Sequence, residues 1–240
     1  MKKIALVTGA VKGIGYEVCV QLAGLGYIVL MGSRVIDVGN RKAKELREQG
    51  YEIYALQLDV TCQKNIDDAV KFIREKYSVL DVLVNNAGIA IDNGNSVFTT
   101  PLSVIRDTYE TNVYAPISII QSFLPLLRLS EAGRIVNVGS IMGSLTFMSK
   151  PECQHVGLEA LAYSSSKTAL NAITTLFAQA LKDTPIKVNT ADPGFCATEL
   201  TKGKGLRSAK RGAEIVVKLA TLPDDGPSGG FYNEISNAPW

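Results

Sequence analysis

The sequence predicts an α/β fold, namely a single-domain, Rossmann-type, doubly wound parallel sheet with helices on both faces. Short β-rich apolar runs alternate with longer helix-like segments along the chain. The runs are apolar on both faces, which is typical of parallel strands that helices cover on each side. A glycine-rich loop also joins the first run to a helix-like segment, as in dinucleotide-binding sheets.

Six apolar runs define the predicted strands, and three patterned segments define the clearest helices. The strands are expected at 4–8, 27–32, 51–58, 79–84, 134–139 and 186–191, and the helices at 40–49, 63–77 and 164–181. No repeat, low-complexity tract or linker divides the chain, so we expect one domain over residues 1–240 that combines the cofactor and substrate sites. Irregular segments at 89–100, 141–162 and 195–206 follow strand ends and should surround one cleft.

The composition favours small-molecule chemistry. With 25 basic and 23 acidic residues, the net charge of +2 is too balanced for a nucleic-acid-binding face. Gly9 and Lys12 interrupt the first apolar run before it reaches signal-peptide or membrane-spanning length, so we expect a cytoplasmic protein with no membrane partner. Four cysteines lie far apart without metal-ligand spacing and are expected to be free thiols: Cys19, Cys62, Cys153 and Cys196.

The loop after the first strand has the composition of a phosphate-binding turn. Its glycines let backbone amides approach a pyrophosphate at the N-terminus of a helix that begins near Ile14. Their spacing, G-x-x-x-G-x-G, departs from the common dinucleotide fingerprint G-x-G-x-x-G. The three glycines are Gly9, Gly13 and Gly15.

The end of the second strand indicates which dinucleotide is bound. A carboxylate there binds the ribose hydroxyls of NAD, whereas an arginine accommodates the additional phosphate of NADP. Arg34 offers a planar group with several donors, Ser33 a hydroxyl, and Lys12 in the glycine loop a second cation. Asp37 would also suit a ribose, but it falls three residues past Arg34 and is ranked below it. NADPH is therefore the expected cofactor.

Two further strand ends complete the expected nucleotide site. Asp59 and Val60 follow the third strand, where the Asp59 carboxylate could accept a hydrogen bond from the adenine amino group. Asn86, Ala87 and Gly88 follow the fourth strand, although an ordinary turn explains this sequence equally well.

Tyr163 and Lys167 form the most informative pair in the chain. Four residues apart on a helix, they lie on one face, one turn from each other. A nearby ammonium group favours the phenolate, so we expect the pKa of Tyr163 to be lowered from about 10, which makes the phenol a usable proton donor to a carbonyl oxygen. Alone, the same spacing also fits a surface tyrosine beside a lysine.

Seven motifs occur in order along the chain, and together they resemble the short-chain dehydrogenase/reductase family over essentially the whole length. The basic pair Lys12 and Arg34 and the closing stretch 219–234 look most like the NADPH-dependent carbonyl reductase branch. The motifs are TGAVKGIG (8–15), Asp59-Val60, NNAG (85–88), Asn112, Ser140, YSSSK (163–167) and Pro193-Gly194.

The resemblance implies a catalytic tetrad of Asn112, Ser140, Tyr163 and Lys167, and we assign no metal site. In the family's mechanism, hydride passes to the carbonyl carbon while Tyr163 delivers a proton to the oxygen, which Ser140 hydrogen-bonds. Lys167 would lower the pKa of Tyr163 and bind the nicotinamide ribose, and Asn112 would hold a water that links Lys167 to solvent. The residues that look like the nicotinamide-side loop are Pro193, Gly194 and Thr198.

The segment before Tyr163 departs from the family pattern. Tyr163 follows Ser140 by 23 positions, which is longer than is usual in the family. In the carbonyl reductase branch a longer insertion covers the surface that other members use for subunit pairing. This chain has a partial version, so both a monomer and a homo-oligomer stay open. The single histidine, His155, lies in this segment and is assigned no role.

The expected substrate is a neutral, largely hydrophobic ketone or aldehyde, because no arginine or lysine falls where a substrate carboxylate or phosphate would need one. Two alternatives stay open: an NAD(P)-dependent alcohol, steroid or sugar dehydrogenase that uses the same tetrad in the oxidative direction, and a non-catalytic NADP-binding regulator. The pocket is assigned to apolar side chains of the loops, namely Ile141, Met142 and Phe195, with Ile89, Ile91, Leu145 and parts of 146–160 as further walls.

Overall fold

Seven parallel strands form the central sheet of the computed structural model, which describes residues 2–92, 94–150, 160–234 and 237–240. In chain order they are β1 (Ile4–Val7), β2 (Ile28–Ser33), β3 (Ile53–Gln57), β4 (Val82–Asn85), β5 (Arg134–Val138), β6 (Lys187–Ala191) and β7 (Phe231–Tyr232). Their order across the sheet is β3-β2-β1-β4-β5-β6-β7, and each neighbouring pair is parallel. The predicted parallel α/β sheet is confirmed.

Helices connect the strands. They are α1 (Gly13–Gly24), α2 (Ile36–Arg47), α3 (Gln63–Tyr77), α4 (Leu102–Tyr109), α5 (Ala115–Leu127), α6 (Leu145–Met148), α7 (Leu161–Ala180) and α8 (Ala209–Ala220). A π-helical turn, Glu110–Tyr114, joins α4 to α5, and a 3₁₀ turn, Ile141–Gly143, follows β5.

The helices cover both faces of the sheet because successive strand residues point to opposite sides. Ile4 and Leu6 of β1 pack in a cluster with residues of α3, α5 and α7. Ala5 and Val7, the alternate residues, pack instead with residues of α1, α2 and α8. The near-continuous apolar strands that we predicted are therefore buried on both sides.

Each predicted run overlaps a strand, with ends that differ by up to three residues. Strand β7 was not predicted, because two residues at the sheet edge after Gly229 and Gly230 are too short to show a pattern. The helix expected at 63–77 is confirmed as α3, whereas α2 and α7 begin four and three residues earlier than expected.

The segment 141–162 is only partly irregular, which corrects our expectation. The 3₁₀ turn and α6 lie within it, and α7 already begins at Leu161. Cys153 and His155 fall outside the described residues. No helix in the described ranges combines the length and apolar character that a membrane crossing requires.

The strand order predicts a ligand-binding crevice at one edge of the sheet. β1 lies between β2 and β4, so the direction in which the chain adds strands reverses there. Open α/β sheets bind ligands outside the carboxyl ends of their strands at such a point. The glycine loop follows β1, and the segments after β4, β5 and β6 emerge at the same edge.

Candidate active site

The glycine loop packs closely against the segment that follows β4. Gly9 has a φ of +61°, and a Cβ atom there would lie 2.9 Å from the Ala87 Cα atom. A Cβ atom on Gly15 would lie 2.4 Å from the Asn86 Nδ2 atom. Side chains at these two positions would therefore separate the two segments.

Thr8 holds these two segments together, a role that the sequence pattern did not predict. Its hydroxyl oxygen accepts hydrogen bonds from the main-chain N–H groups of Asn86 and Ala87, both at 3.0 Å. The Asn86 amide donates in return to the carbonyl oxygens of Thr8 and Gly9, at 2.9 and 3.1 Å. Asn86 and Ala87 thus fix the shape of the glycine loop. Gly88 follows them beside Asn112 and Lys167.

The residues present fit a dinucleotide. Helix α1 begins at Gly13, one residue before Ile14, and within the described chain no side chain caps its N-terminus. Its first-turn N–H groups and the positive end of its dipole are thus available to a phosphate. The glycines let the loop pack closely without side chains of its own at these positions, and Lys12 lies at the helix start.

The loop after β6 lies against the glycine loop. A Cβ atom on Gly13 would lie 3.4 Å from the Thr198 Cγ2 atom, and Lys12 forms an ion pair with Glu199. Thr198, one of the residues assigned by resemblance to the nicotinamide side, is thus brought to the glycine loop. Gly194 has a φ of +74°, and its N–H donates to the Asp192 carboxylate at 3.0 Å.

Ser33, Arg34 and Asp37 take different positions at the end of β2. The Ser33 hydroxyl is buried and donates to the Val35 carbonyl oxygen at 2.7 Å, so the donor that we assigned to a phosphate is already engaged. Arg34 is exposed, and its carbonyl oxygen accepts a bond from Gln57 at 2.8 Å. Asp37 lies in the first turn of α2, beyond the strand as expected.

Asp59 and Val60 follow the end of β3, as predicted. One Asp59 carboxylate oxygen accepts hydrogen bonds from the Thr61 N–H at 3.0 Å and from the Thr61 hydroxyl at 2.7 Å. Val60 is buried. A bond between Asp59 and an adenine amino group stays a prediction.

Ser140, Tyr163 and Lys167 come together beside the crevice. The Ser140 hydroxyl is close enough to the Tyr163 phenol to lower its pKa, and the Lys167 Nζ atom lies 5.7 Å from the centroid of the Tyr163 ring. Lys167 is only 5% exposed and donates to the Val138 carbonyl oxygen at 2.8 Å. A phenol, a hydroxyl and an amine thus lie at the carboxyl ends of β5 and β6.

The pKa of Tyr163 is not lowered, which corrects our expectation. Burial raises the pKa of Tyr163 to about 12, the bond to Ser140 opposes this rise, and the nearby Asp192 carboxylate adds to it. Burial lowers the pKa of Lys167 to about 8. The reason is that removal from water disfavours the charged form of each group, and Lys167 directs its ammonium group to Val138.

Asn112 lies in the π-helical turn between α4 and α5. Its side-chain oxygen accepts a bond from the Ile89 N–H, and its amide donates to the Ile89 carbonyl oxygen, both at 2.9 Å. The same amide donates to the Ser166 hydroxyl at 3.0 Å. Its side chain therefore joins the segment after β4 to α7, and the water-holding role stays a prediction.

The assigned pocket residues lie on the loops after β5 and β6. Ile141 and Met142 are half-buried in the 3₁₀ turn directly after Ser140. Phe195 and Leu145 are 53% and 63% exposed, which places apolar surface on both loops. Of the other assigned walls, Ile89 and Ile91 are half-buried, and residues 151–159 lie outside the described part of the chain.

The fold and this geometry define a Rossmann-type α/β protein with a glycine loop and a Tyr-Lys pair at the carboxyl edge of its sheet. The family model described as short chain dehydrogenase matches residues 3–208. The chain therefore belongs to the short-chain dehydrogenase family of oxidoreductases, as the order of its motifs predicted.

Proteins named as reductases match nearly the whole chain. Salutaridine reductase of Papaver bracteatum is 32% identical over 294 aligned positions, which cover 96% of this chain and 94% of that protein. (−)-Isopiperitenone reductase of Mentha piperita is 31% identical, and the alignment covers 97% of this chain and 96% of that protein. A solved structure of NADPH-bound carbonyl reductase from chicken fatty liver is 26% identical, covers 100% of this chain and 99% of that chain, and has a TM-score of 0.84.

Proposed function

We propose that this protein is an NADPH-dependent carbonyl reductase that acts on a neutral, largely hydrophobic ketone or aldehyde. The observation that carries the proposal is the group formed by Ser140, Tyr163 and Lys167 at the crevice beside the glycine loop. The similarity to proteins named as reductases, one of them an NADPH-bound carbonyl reductase, supports the reductive direction. We also propose that residues 1–240 act as one unit that contains both sites.

The residues of the chain have distinct roles in the proposed reaction. When bound, NADPH supplies the hydride. The Ser140 hydroxyl lies beside the Tyr163 phenol, so both would bind the carbonyl oxygen and stabilise the negative charge that develops on it. Tyr163 then transfers its proton to that oxygen. Its high pKa keeps the phenol protonated at neutral pH, which is the form a proton donor requires.

Lys167 would hold the nicotinamide ribose and reload the Tyr163 proton. A pKa lowered to about 8 lets Lys167 exchange a proton near neutral pH, whereas an ordinary lysine would hold it. We propose that Asn112 holds the water that returns this proton from solvent. Arg34 and Lys12 would bind the additional phosphate of NADPH, with Lys12 exchanging its exposed partner Glu199 for the phosphate.

The substrate class is tested by a panel of carbonyl compounds in one NADPH-oxidation assay. Aryl ketones, apolar aldehydes and keto acids are compared by kcat/KM. The apolar surface of Ile141, Met142 and Phe195 predicts that the neutral compounds are reduced at least about tenfold more efficiently than the acids, because a charge buried there would lack a partner. Preferential reduction of the acids would contradict the proposed pocket.

Arg34→Asp tests the proposed cofactor preference. We expect NADPH affinity to fall about 10- to 100-fold, since hydrogen bonds to a charged group contribute about 1.5–3 kcal/mol, while NADH affinity changes little. The measurement is the Kd of each nucleotide by fluorescence titration. Arg74→Asp, the same change on the exposed face of α3, is the matched control and should leave both affinities unchanged. Equal loss of both nucleotides in Arg34→Asp would refute the assignment.

A further inference from the structure

Helix α7, which carries Tyr163, is capped by a residue from a distant part of the chain. Ala160 is the N-cap residue of the helix, and its methyl side chain cannot accept a hydrogen bond from the first turn. Asp92, in the segment after β4, supplies the missing acceptors. One carboxylate oxygen accepts from the Ala162 N–H at 2.8 Å, and the other accepts from the N–H of Tyr163 itself at 3.1 Å. Asp92 precedes Tyr163 by 71 positions.

The Tyr163 carbonyl group is also linked to the segment after β4, through the side chains of Ser166 and Asn112. The Ser166 hydroxyl donates to the Tyr163 carbonyl oxygen at 2.7 Å and accepts from the Asn112 amide at 3.0 Å. Asn112 binds both the N–H and the carbonyl group of Ile89, three residues before Asp92. Together with residues 89–92 of the main chain, these hydrogen bonds form a closed ring. The ring includes both the N–H and the carbonyl group of Tyr163.

This ring is shielded from water. Asp92 is 5% exposed, Asn112 1% and Ser166 0%. Hydrogen bonds to a buried carboxylate are stronger than neutral ones, and leaving such donors unpaired in a buried site is costly. The first turn of α7 therefore has one well-defined position relative to residues 89–92.

We propose that Asp92 is a positioning residue for Tyr163: by holding the Ala162 and Tyr163 amides it fixes the first turn of α7, and with it the distance from the phenol to Ser140. This inference rests on the proposed function, because it assumes that Tyr163 is the proton donor. Misplacement of a reacting group by about 1 Å can cost about 100-fold in rate. Asp92 meets Tyr163 at its main-chain N–H and not at its hydroxyl, so it acts on the position of Tyr163.

Two variants of Asp92 test the proposal. Asp92→Ala removes both acceptors, whereas Asp92→Asn keeps one acceptor oxygen. With the best carbonyl compound of the panel, we expect kcat to fall about 10- to 100-fold in Asp92→Ala and by a smaller factor in Asp92→Asn, with KM and the NADPH Kd changed less than about threefold. Hydrogen exchange of the Ala162 and Tyr163 amides should accelerate in the same order, which is a readout that needs no substrate.

Asp81→Asn is the matched control. Asp81 is also a buried carboxylate, 9% exposed, and accepts from the Ile4 N–H at 2.7 Å and the Ser130 hydroxyl at 2.6 Å. It lies just before β4, at the opposite edge of the sheet from Tyr163. We expect Asp81→Asn to lower the free energy of unfolding and leave the kcat of the folded protein unchanged.

The outcomes separate this inference from the proposed function. Wild-type kcat in both Asp92 variants, or an equal fall in kcat per folded molecule in Asp92→Asn and Asp81→Asn, overturns the positioning role. If Asp92→Ala does not fold, Asp92→Asn decides alone. Should Tyr163→Phe retain wild-type turnover, the proposed function fails instead, whatever the Asp92 variants do.

Discussion

Tyr163→Phe is expected to lower kcat by about 10²- to 10⁴-fold, the contribution that a positioned general acid usually makes. The substitution removes one oxygen atom and keeps the ring, so the packing of α7 and the glycine loop should not change. The Kd for NADPH should stay within about twofold of the wild-type value, because binding and proton transfer depend on different groups. Single-turnover oxidation of NADPH, followed by absorbance, measures the chemical step directly.

Tyr27→Phe is the control for this prediction. Tyr27 is also a half-buried tyrosine whose pKa burial raises, but it lies before β2 at the amino edge of the sheet. We expect the turnover of Tyr27→Phe to equal that of the wild type. Undiminished turnover in Tyr163→Phe would show that another group supplies the proton. Turnover lost together with nucleotide binding would instead assign Tyr163 a structural role.

Lys167→Met is expected to lower kcat by about 10²-fold or more, since it removes the group that we assign to ribose binding and proton return. Methionine has a similar length and no charge, so it fits the buried position. Unlike Tyr163→Phe, this variant should also bind NADPH more weakly. Turnover in the wild type should fall as pH rises through about 8, where the ammonium group loses its proton. Wild-type turnover in Lys167→Met would contradict both assigned roles.

The same lysine makes stability depend on pH. Its pKa is about 8 in the folded chain and 10.5 as the ordinary value, so between these pH values the unfolded chain binds more protons. The contribution of Lys167 to the free energy of unfolding therefore increases from pH 8 to 10.5, by an amount on the order of 3 kcal/mol in total. The same contribution is lost as pH falls back towards 8. Denaturant unfolding of the wild type and Lys167→Met is measured at pH 7.5 and 9.0. Cysteines and tyrosines titrate alike in both proteins, so the slope from Lys167 should appear as the difference between them. Parallel slopes would contradict the lowered pKa.

The sequence was sufficient for the parallel sheet and for the residues at the strand ends. Apolar runs buried on both faces leave few alternatives to a helix-covered parallel sheet, and the irregular segments after strand ends indicated one cleft. The order of the strands across the sheet came only from the structure. The Tyr163 and Lys167 pair was recognisable because a spacing of four on a helix determines which side chains are neighbours.

Properties that depend on burial and on distant partners could not be derived in this way. The spacing of Tyr163 and Lys167 suggested attraction between charges, whereas the dominant effect on both groups is removal from water, which no local pattern reveals. Ser33 was expected to bind a phosphate, but the backbone turn brings the Val35 carbonyl oxygen to its hydroxyl. Thr8 bonds Asn86, 78 positions away, and Asp92 bonds Tyr163, 71 positions away, so only the folded chain shows these partners.

A crystal structure with NADP⁺ bound tests the central claim most directly. We predict that the dinucleotide lies along the carboxyl edge of the sheet from Arg34 to Pro193, with the nicotinamide ring beside the Tyr163 hydroxyl and its ribose within hydrogen-bond distance of Lys167. A nicotinamide that lies elsewhere, or a Tyr163 hydroxyl separated from it by packed side chains, would contradict the proposed function.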